Sequence, residues 1–331
     1  MKLGIVGATG MVGRVMLKVL ESRNFPITNL YLSASKKSLG KRLFFRGKSY
    51  ELIDIEDLLY NKKPNIVLFS AGSSVSKSWA RKFEDLGSIV IDNSSAWRMH
   101  DHVKLIVPEI NAQLLEKDDK IIANPNCSTI QLVMVLFPLH IQYHIKRVII
   151  STYQSVTGTG KRAVDQLKEE SIGNFSCKKI YPYPIYNNVL PHCDSFLEDG
   201  YTLEEMKLMK ETKKILNNQN ISITATSARV PVIGGHSESV NISFTKDINI
   251  DKIREILLNI KGLIIQDIPN KNIYPMPLNS HGKDDIFVGR IRRDYSFPNS
   301  INLWIVSDNL RKGAATNAVQ IAEYLIKKNY V

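Results

Sequence analysis

Cys127 has the most suggestive chemical context of any residue in the chain. It lies in the segment Asn-Pro-Asn-Cys-Ser-Thr at positions 124–129, directly before an apolar helical pattern that starts around Ser128. A thiol at the start of a helix meets the positive end of the helix dipole, which favours the thiolate and can lower a cysteine pKa from about 8.5 toward 7 or below. This position predicts a nucleophile, and a buried, inert cysteine is the alternative. Cys177 and Cys193 lack such a position, and we interpret them as inert.

A glycine-rich loop near the start of the chain predicts dinucleotide binding. The sequence GATGMVG occupies positions 7–13, between an apolar run at 2–6 and a helical pattern that continues to about Leu20. A glycine turn between a strand and a helix lets backbone N–H groups approach a pyrophosphate, whose charge the helix dipole stabilises. A tight turn with a purely structural role is the alternative.

The end of the second predicted strand indicates which dinucleotide is bound. NAD-selective sites usually place an acidic residue there to bind the ribose 2′-hydroxyl. This chain instead has Ser-Ala-Ser-Lys-Lys-Ser at positions 33–38. Hydroxyl groups and cations suit a 2′-phosphate, so we predict NADP, with a merely solvated loop as the alternative.

A nicotinamide cofactor and a nucleophilic cysteine together predict oxidation or reduction at the aldehyde level through a covalent thioester. Such a reaction needs a proton carrier. His236 is the best candidate because it follows Val-Ile-Gly-Gly at positions 232–235, a turn that can direct an imidazole into a cleft. We expect His140 and His144 to lie on the helix after Cys127 as packing or surface residues.

The elements that must position these residues fall into two groups. In the first half, strands alternate with helix-length segments, which predicts a doubly wound parallel sheet and a Rossmann-type α/β nucleotide-binding domain. The predicted strands of this half are 2–6, 29–33, 66–70 and 89–92.

The second half reads as an α+β domain with a mixed sheet. Its predicted strands are 147–153, 221–228, 238–244, 285–292 and 301–306, and its predicted helices are 161–171, 203–217 and 250–260. Thr202 and Glu205 form a capping-box pattern at the start of the second helix. A final helix at about 312–327 is expected to pack on the nucleotide domain. We therefore predict domains at 1–125, completed by 310–331, and at 126–309.

Composition and charge indicate which classes of protein can be excluded. The 331 residues include 44 Lys+Arg and 32 Asp+Glu, for a net charge of +12. The basic residues are scattered, so we expect no nucleic-acid binding, although a basic protein can attract polyanions. Three cysteines indicate no disulfide framework, and no export or membrane-spanning segment is evident, so we expect a cytoplasmic protein that binds no membrane.

Several segments together resemble those of the aspartate-semialdehyde dehydrogenase family, in the family's order and over nearly the whole chain. They are GATGMVG (7–13), DNSSAWRM (92–99), VPEIN (107–111), NPNCST (124–129), YQSVTGTG (153–160), EEMK with ETKKIL (204–216), ARVPVIGGHSES (228–239) and DNLRKGAATNAVQIAE (308–323). The resemblance implies NADPH-dependent conversion of L-4-aspartyl phosphate to L-aspartate 4-semialdehyde, with release of phosphate. It also implies a place in lysine, threonine, methionine and diaminopimelate biosynthesis.

The resemblance further implies roles for individual residues. Cys127 would be the nucleophile, Gln154 would orient the acyl group, and His236 would act as general acid and base. We add the hypothesis that Asn126 helps to stabilise the oxyanion. Four further residues would bind substrate: Arg229 the α-carboxylate, Glu204 the amino group, and Arg98 and Lys207 the phosphate.

The cofactor set implied by the resemblance spans both halves of the chain. It comprises Thr9, Gly10, Met11, Val12, Ser35, Lys37, Ser38, Gly72, Ser155, Gly158 and Asn309. Many family members carry arginine where this chain has Lys37, so NADP preference is expected to be weaker here. The resemblance also implies a homodimer formed through the sheet of the second domain, and no metal.

Three other readings compete with this one. A glyceraldehyde-3-phosphate dehydrogenase or an acylglutamyl-phosphate reductase would share the architecture and the thioester. A non-catalytic NADP-binding relative would share the fold but has no need for Cys127, Gln154, Arg229 and His236 together. Nucleic-acid binding is the third and has the least support.

Overall fold

The computed structural model describes residues 1–331 and divides them into two compact units. The first unit comprises Met1–Asn126 and Ala314–Val331, and the second comprises Cys127–Gly313. The chain therefore leaves the first unit directly before Cys127 and returns to it at the last helix.

Fourteen strands and ten helices make up the two units. The first unit contains β1 (Lys2–Val6), α1 (Met11–Ser22), β2 (Asn29–Ser33), β3 (Arg42–Phe45), β4 (Lys48–Ile53), α2 (Ile55–Asp57), β5 (Ile66–Phe69), α3 (Ser73–Asp85), β6 (Ile89–Asp92), β7 (Lys104–Leu105), α4 (Pro108–Asn111) and β8 (Ile121–Ala123). The second contains α5 (Cys127–Tyr143), β9 (Ile145–Ser155), α6 (Lys161–Ser171), α7 (Leu203–Ile215), β10 (Ser222–Val230), β11 (His236–Phe244), α8 (Ile250–Leu258), β12 (Leu263–Ile265), α9 (Pro277–Ser280), β13 (Ile286–Arg293) and β14 (Ser300–Ser307). The last helix, α10 (Thr316–Lys327), belongs to the first unit.

The first unit is built on an eight-stranded sheet in the order β3-β4-β2-β1-β5-β6-β8-β7. Every neighbouring pair is parallel except β3 with β4. Strands β5 and β6 are buried along their whole length, as expected for a parallel sheet covered by helices on both faces. Helix α10 packs against α1 and α4, so the predicted docking of the last helix and the predicted doubly wound fold are confirmed.

The hairpin of β3 and β4 was not predicted from the sequence. The two strands pair antiparallel around Arg46 and Gly47, which both have positive φ. The hairpin forms the sheet edge and exposes charged residues and Phe44, which is 76% accessible. A short edge strand buries little apolar surface, so its hydrophobic pattern is weak. Strands β7, β8 and β12 were also not predicted, because they too are short.

The second unit is built on a six-stranded mixed sheet in the order β10-β9-β11-β14-β13-β12. The two outer pairs, β10 with β9 and β13 with β12, are parallel, and the inner pairs are antiparallel. Helix α5 lies against β9, β11 and β14, with α7 and α8 beside it. The predicted α+β class with a mixed sheet is confirmed.

Helix α5 begins close to where the sequence places it. It starts at Cys127, one residue earlier than predicted, and runs to Tyr143. The expectation that His144 lies on this helix is wrong, because His144 has φ +53° and ends it. His140 is on the helix, and its Nδ1 accepts the backbone N–H of Ile145 at 3.0 Å, which stabilises the turn into β9.

The end of the chain also differs slightly from prediction. The first turn of the helix expected at 312–327 is a wider turn at Arg311–Ala315, and regular α10 follows from Thr316. The capping box of Thr202 and Glu205 is present as predicted. None of the helices has the length and apolar character needed to cross a membrane.

Candidate active site

Cys127 lies in the first turn of α5, a helix whose residues are mostly buried and apolar. The thiol forms no disulfide and is half-buried. Gly313 packs against it, because a Cβ at position 313 would lie 2.9 Å from the Cβ of Cys127. Position 313 therefore requires a residue without a side chain, a restriction that the sequence analysis did not detect.

The sheet face beneath α5 carries polar side chains in two adjacent rows. In one row, Thr152 of β9 is paired with Ser227 of β10 on one side and Glu238 of β11 on the other. In the next row, Arg229 pairs with Gln154, and His236 pairs with Ser307. All seven side chains are buried. Buried polar groups are costly unless they are hydrogen-bonded, so this concentration marks the site.

Gln154 is held firmly in the middle of the sheet. Its Nε2 lies 3.1 Å from Glu204 Oε1, 3.2 Å from Ser128 Oγ and 3.3 Å from Thr152 Oγ1. Glu204 is in the first turn of α7 and is buried. The amide of Gln154 therefore links α7, the sheet and the first turn of α5.

Lys207 lies one turn after Glu204 on the same helix face, and the two side chains meet. Its Nζ is 3.2 Å from Glu204 Oε2 and 2.6 Å from Asp194 Oδ2. Burial by itself would lower the pKa of Lys207, but the two carboxylates outweigh burial and raise it. The same ion pair outweighs burial at Asp194 and lowers the pKa of that carboxyl group. Asp194 is thus a partner of Lys207 that sequence reasoning missed.

His236 is completely buried, and one of its ring nitrogens has a defined partner. The backbone N–H of Ser155 donates to Nδ1 at 3.0 Å, so the neutral ring carries its hydrogen on Nε2. Nε2 has no partner. Burial first, and the charge of Arg229 second, lower the pKa of His236 well below its usual value, and the nearby Gly235 carbonyl offsets this only in part.

Arg229 and His236 both bind the backbone of Ser155, His236 at its N–H and Arg229 at its carbonyl. Arg229 Nη1 donates to the carbonyl of Ser155 at 2.8 Å, and Arg229 Nε has no partner. Gly158 borders both side chains, since a Cβ there would lie 2.8 Å from Arg229 Nη1 and 3.1 Å from His236 Nε2. The structure thus places Ser155 and Gly158, predicted as cofactor residues, against two predicted catalytic and substrate-binding side chains.

Asn309 is fixed by a short chain of buried hydroxyl groups. Thr157 Oγ1 donates to Asn309 Oδ1 at 2.8 Å, and Ser155 Oγ contacts Thr157 Oγ1. The amide oxygen of Asn309 therefore has its hydrogen bond within the protein. The N–H₂ group of the same side chain is the part that could bind a ligand.

Glu238 is a second residue that sequence reasoning missed. Its side chain is completely buried on the strand that begins with His236, and neither carboxyl oxygen has a hydrogen bond of normal geometry. The available signal was its position two residues after His236, which places both side chains on one face of the strand.

The glycine loop of the first unit has the geometry of a phosphate-binding turn. Gly7 has φ +85°, and a Cβ there would collide with the carbonyl of Ser70. A Cβ at Gly13 would likewise collide with the carbonyl of Gly7. No side chain caps the first turn of α1 at Gly10–Met11, and that turn contains no acidic residue. These features fit the pyrophosphate of a dinucleotide.

The remaining cofactor candidates of the first unit lie at the carboxyl ends of its strands. Ser35, Lys37 and Ser38 follow β2 in a short 3₁₀ turn without an acidic side chain, and Lys37 is exposed. Gly72 has φ +87° and directly precedes α3, after β5. This edge of a doubly wound sheet is where such folds bind nucleotides, and the donor set suits a 2′-phosphate.

Arg98 and Asn126 also belong to the first unit, and both are buried. Arg98 Nε donates to the carbonyl of Asn124 at 2.9 Å, and Nη2 donates to that of Asn93 at 2.7 Å. The side chain of Asn124 is itself held, since it donates to Asn93 Oδ1 at 2.8 Å and accepts from Asn317 at 2.7 Å. This network fixes Arg98 against the segment that ends at Asn126.

Two family models match the chain, one in each half. The semialdehyde dehydrogenase NAD-binding domain matches residues 2–118, and the semialdehyde dehydrogenase dimerisation domain matches residues 136–312. No group of three or more His, Cys, Asp or Glu side chains in the structure could hold a metal ion.

Individual relatives match over their full length. An aspartate-semialdehyde dehydrogenase of Aquifex aeolicus is 50% identical, with 100% of this chain and 99% of the relative covered. The crystal structure of aspartate semialdehyde dehydrogenase II from Vibrio cholerae superimposes with a TM-score of 0.94 at 40% identity, covering 98% of both chains. A second structure of that enzyme, complexed with ASA, gives 0.94 at 39% identity and the same coverage. The chain therefore belongs to the aspartate-semialdehyde dehydrogenase family of NAD(P)-binding oxidoreductases.

Proposed function

We propose that this protein catalyses the NADPH-dependent reductive dephosphorylation of L-4-aspartyl phosphate to L-aspartate 4-semialdehyde. The observation that carries the proposal is the polar sheet face beneath the helix that Cys127 begins. There, His236 Nε2 and Arg229 Nε are buried without partners, as expected of groups that bind a ligand. The ASA complex of the Vibrio cholerae relative supports the substrate class. The product would enter lysine, threonine, methionine and diaminopimelate biosynthesis.

In this proposal, the Cys127 thiolate attacks the acyl carbon and phosphate leaves, which gives a thioester. The first turn of α5 favours the thiolate through its dipole. Gln154 orients the acyl group, and its firm attachment to Glu204 and Ser128 suits that role. Asn126, the residue before the nucleophile, helps to stabilise the oxyanion that forms at the acyl carbon.

His236 acts as the acid and base of the reaction. In the neutral ring the hydrogen is on Nε2, so the first act available to His236 is donation to a substrate oxygen. Its low pKa keeps the ring neutral near pH 7. Such a donor suits the reduction of the thioester, where negative charge would develop on the acyl oxygen, and that charge would be released as the thiohemiacetal collapses to the aldehyde and the thiolate leaves.

Arg229 binds the substrate α-carboxylate, since a planar guanidinium can donate two parallel hydrogen bonds to it. Glu204 binds the amino group, and Arg98 and Lys207 bind the phosphate. Lys207 already contacts two carboxylates, so phosphate binding there requires its ion pair with Asp194 to open. Arg98 is oriented by backbone carbonyls, and its planar guanidinium suits phosphate binding.

NADP, when bound, would supply or accept the hydride. We propose that Thr9, Gly10, Met11 and Val12 bind its pyrophosphate through the N–H groups around the start of α1. The other contacts would come from Ser35, Lys37 and Ser38 at the 2′-phosphate and from Gly72, Ser155, Gly158 and Asn309 elsewhere along the cofactor. Preference for NADP over NAD is part of the proposal and rests on the absence of an acidic residue after β2.

We further propose a cytoplasmic homodimer with domains at 1–125 plus 310–331 and at 126–309. Support for the dimer comes from the match to a dimerisation domain and from the sheet face opposite α5. Tyr153 and Trp304 stack there at 5.3 Å between ring centroids, and Tyr153 is 38% exposed. The three cysteines form no disulfide, which agrees with a reducing compartment.

The reverse reaction tests the proposal directly. Purified protein is mixed with aspartate semialdehyde, phosphate and NADP, and NADPH absorbance is followed, with NAD in a parallel assay. The expected result is phosphate-dependent NADPH formation that disappears in Cys127→Ala and persists in Cys177→Ala. A thermal shift with NADP but no turnover of this substrate would refute the proposed reaction and direct attention to other acyl phosphates.

A further inference from the structure

Glu238 is a buried carboxyl group that the proposed chemistry does not use. It is fully inaccessible, and neither oxygen has a well-formed hydrogen bond. Burial first, and the negative charge of Glu204 in addition, raise the pKa of Glu238 well above its usual value, while hydrogen bonding with Gln131 opposes this only in part. An unpaired buried carboxylate is very costly, so burial favours the neutral acid form of Glu238.

Gln131 is the side chain that faces this acid. It lies on α5, one turn after Cys127, and is 1% accessible. Its contact with Glu238 is loose, because its Nε2 also lacks a hydrogen bond of normal geometry. A neutral acid and an amide are complementary, since each offers both donors and acceptors. The two groups are therefore each other's natural partner across the interface of helix and sheet.

Helix α5 and strand β11 run in the same direction, side by side. The chain reverses between Tyr143, the end of α5, and Ile145, the start of β9, and β9 is antiparallel to β11. The far ends of the two elements meet, because the rings of Tyr143 and Phe244 lie 5.6 Å apart. Backbone N–H of Thr245 also donates to the carbonyl of His144 at 2.9 Å.

Helix α5 and strand β11 also cover nearly equal distances between the contact of Gln131 with Glu238 and the contact of Tyr143 with Phe244. From Gln131 to Tyr143 a helix rises about 18 Å, and from Glu238 to Phe244 a strand advances about 20 Å. Moving back toward the site, the helix falls about 6 Å from Gln131 to Cys127, and the strand about 6.7 Å from Glu238 to His236. A contact between Gln131 and Glu238 thus sets where Cys127 stands along the strand relative to His236.

We propose that Gln131 and Glu238 are a pair of positioning residues that hold α5 in register with β11 and so set the separation of Cys127 and His236. The proposal rests on the proposed function, which assigns the nucleophile and the proton carrier to those two residues. Apolar contacts alone constrain sliding of a helix along a sheet only weakly, whereas a buried polar pair is satisfied in only one position. A misplacement of about 1 Å between reacting groups can cost about 10²-fold in rate.

The test is a double-mutant cycle with near-isosteric apolar side chains. Gln131→Met and Glu238→Met are each expected to lower kcat by about 10- to 100-fold, with the KM for aspartate semialdehyde changed by less than about threefold. The double variant is expected to lose no more than the worse single variant, because the second change removes a partner that is already lost. Multiplication of the two losses, or an unchanged kcat in a folded single variant, would overturn the proposal.

Conservative variants keep the proposal testable if the methionine variants do not fold. Glu238→Gln retains a neutral donor and acceptor and should keep kcat within about threefold of wild type. The exchange Gln131→Glu with Glu238→Gln retains an acid and an amide in reversed positions and should do the same. A loss of more than about tenfold in folded Glu238→Gln would show that the ionised carboxylate matters and would refute the pair.

The chain offers a matched control in a second buried pair of the same residue types. Gln166 Nε2 donates to Glu170 Oε1 at 2.7 Å on α6, and both residues are buried. Gln166→Met makes the same chemical change outside the site and should leave kcat within about threefold even if stability falls. A kcat loss in this control as large as that of Gln131→Met would reduce the effect to general destabilisation and refute the proposal.

A readout that needs no substrate separates this proposal from the proposed function. Alkylation of Cys127 by iodoacetamide, followed by peptide mass spectrometry, reports the environment of the thiol directly. We expect both methionine variants to change this alkylation rate by several-fold and Glu238→Gln to leave it at the wild-type value. If wild-type protein fails to oxidise aspartate semialdehyde, this pattern still tests the pair, and equal alkylation rates in all variants would overturn it.

Discussion

The two units differ in how completely their buried polar side chains are satisfied. Buried side-chain nitrogens and oxygens without a hydrogen-bond partner lie in the second unit, among them those of Gln131, Arg229, His236 and Glu238. In the first unit, the buried polar side chains, such as Arg98 and Asn124, are bonded to neighbouring backbone and amide groups. Orphaned buried polar groups cost free energy and persist where a ligand can satisfy them.

This difference indicates two ways of binding. The first unit offers backbone N–H groups at glycine turns, which bind an anion with no side chain of their own involved. The second unit offers preorganised side chains, with Arg229 and His236 fixed on the peptide of Ser155. Substitutions at the glycine loop should therefore weaken cofactor binding, whereas substitutions at the buried side chains of Arg229 and His236 should mainly affect chemistry.

The largest effect is expected from His236→Ala. Loss of the general acid should lower turnover by about 10² to 10⁴-fold. Titration with NADP should give the same affinity as wild type, since the glycine loop of the first unit is untouched. A parallel His140→Ala variant, which changes a histidine of the α5 to β9 turn, is the control for turnover. A large loss of NADP affinity in His236→Ala would contradict the separation of binding and chemistry.

Gly7→Ala should produce the opposite result. The added Cβ would collide with the carbonyl of Ser70, and position 7 has a positive φ that alanine rarely adopts. NADP affinity should fall by about 10²-fold, which corresponds to about 2.7 kcal/mol. Gly47→Ala, also at positive φ but with open space around it, controls for backbone strain alone. Alkylation of Cys127 should proceed at the wild-type rate in both variants, and slower alkylation in Gly7→Ala would show that the loop also shapes the thiol site.

Lys37→Ala should have a smaller effect, confined to the choice of cofactor. Lys37 is exposed and follows β2 in a turn without carboxylates. A hydrogen bond to a charged group contributes about 1.5–3 kcal/mol, and solvent exposure favours the lower value, so the ratio of kcat/KM for NADP over NAD should fall by about tenfold. Lys41→Ala, a nearby exposed lysine, is the control. An unchanged ratio would assign 2′-phosphate recognition to other residues.

The sequence predicted the parts of the site that are local in the chain. The glycine loop, the position of Cys127 and the capping box of Thr202 depend on neighbouring residues, and their patterns were readable. Gly313 and Asp194 were missed because their importance depends on contacts with Cys127 and Lys207 that only the fold creates. Periodicity likewise found the long buried strands but not the short edge strands.

Glu238 was missed for a different reason. A glutamate on a strand is normally interpreted as solvent-facing, because charged side chains are rarely buried. Its two-residue spacing from His236 shows that both share a face, but only the packing of α5 shows that this face is interior. The two Gln–Glu pairs of the second unit make the contrast measurable, because Glu170 accepts backbone N–H groups and Glu238 does not.

The effect on stability distinguishes these two buried acids by pH. The pKa of Glu238 is raised in the folded protein, so its contribution to stability is fully present below about pH 4.5, the usual value, and is lost as pH rises toward the folded pKa. Glu238→Gln removes this loss, so the variant should gain stability over wild type from about pH 5 to pH 8. The gain in the free energy of unfolding builds up only at pH values between the usual pKa and the raised pKa of Glu238. Within the range from about pH 5 to pH 8, it should be about 1.4 kcal/mol for each pH unit that lies between those two pKa values. The measurement is the free energy of unfolding in urea at about pH 5 and at about pH 8.

Glu170→Gln should instead lose stability at both pH values. Glu170 accepts hydrogen bonds from Gln166 and from the backbone N–H groups of Ile185 and Tyr186 at 2.7–2.9 Å. Weakening charge-assisted bonds of this kind costs about 1.5–3 kcal/mol. His236, whose lowered pKa makes stability fall below about pH 6.5, is present in both variants, so its contribution cancels in the comparison. If Glu238→Gln and wild type showed the same change in stability between the two pH values, Glu238 would be ionised in the folded protein, and its burial would need a cation or bound water to explain it.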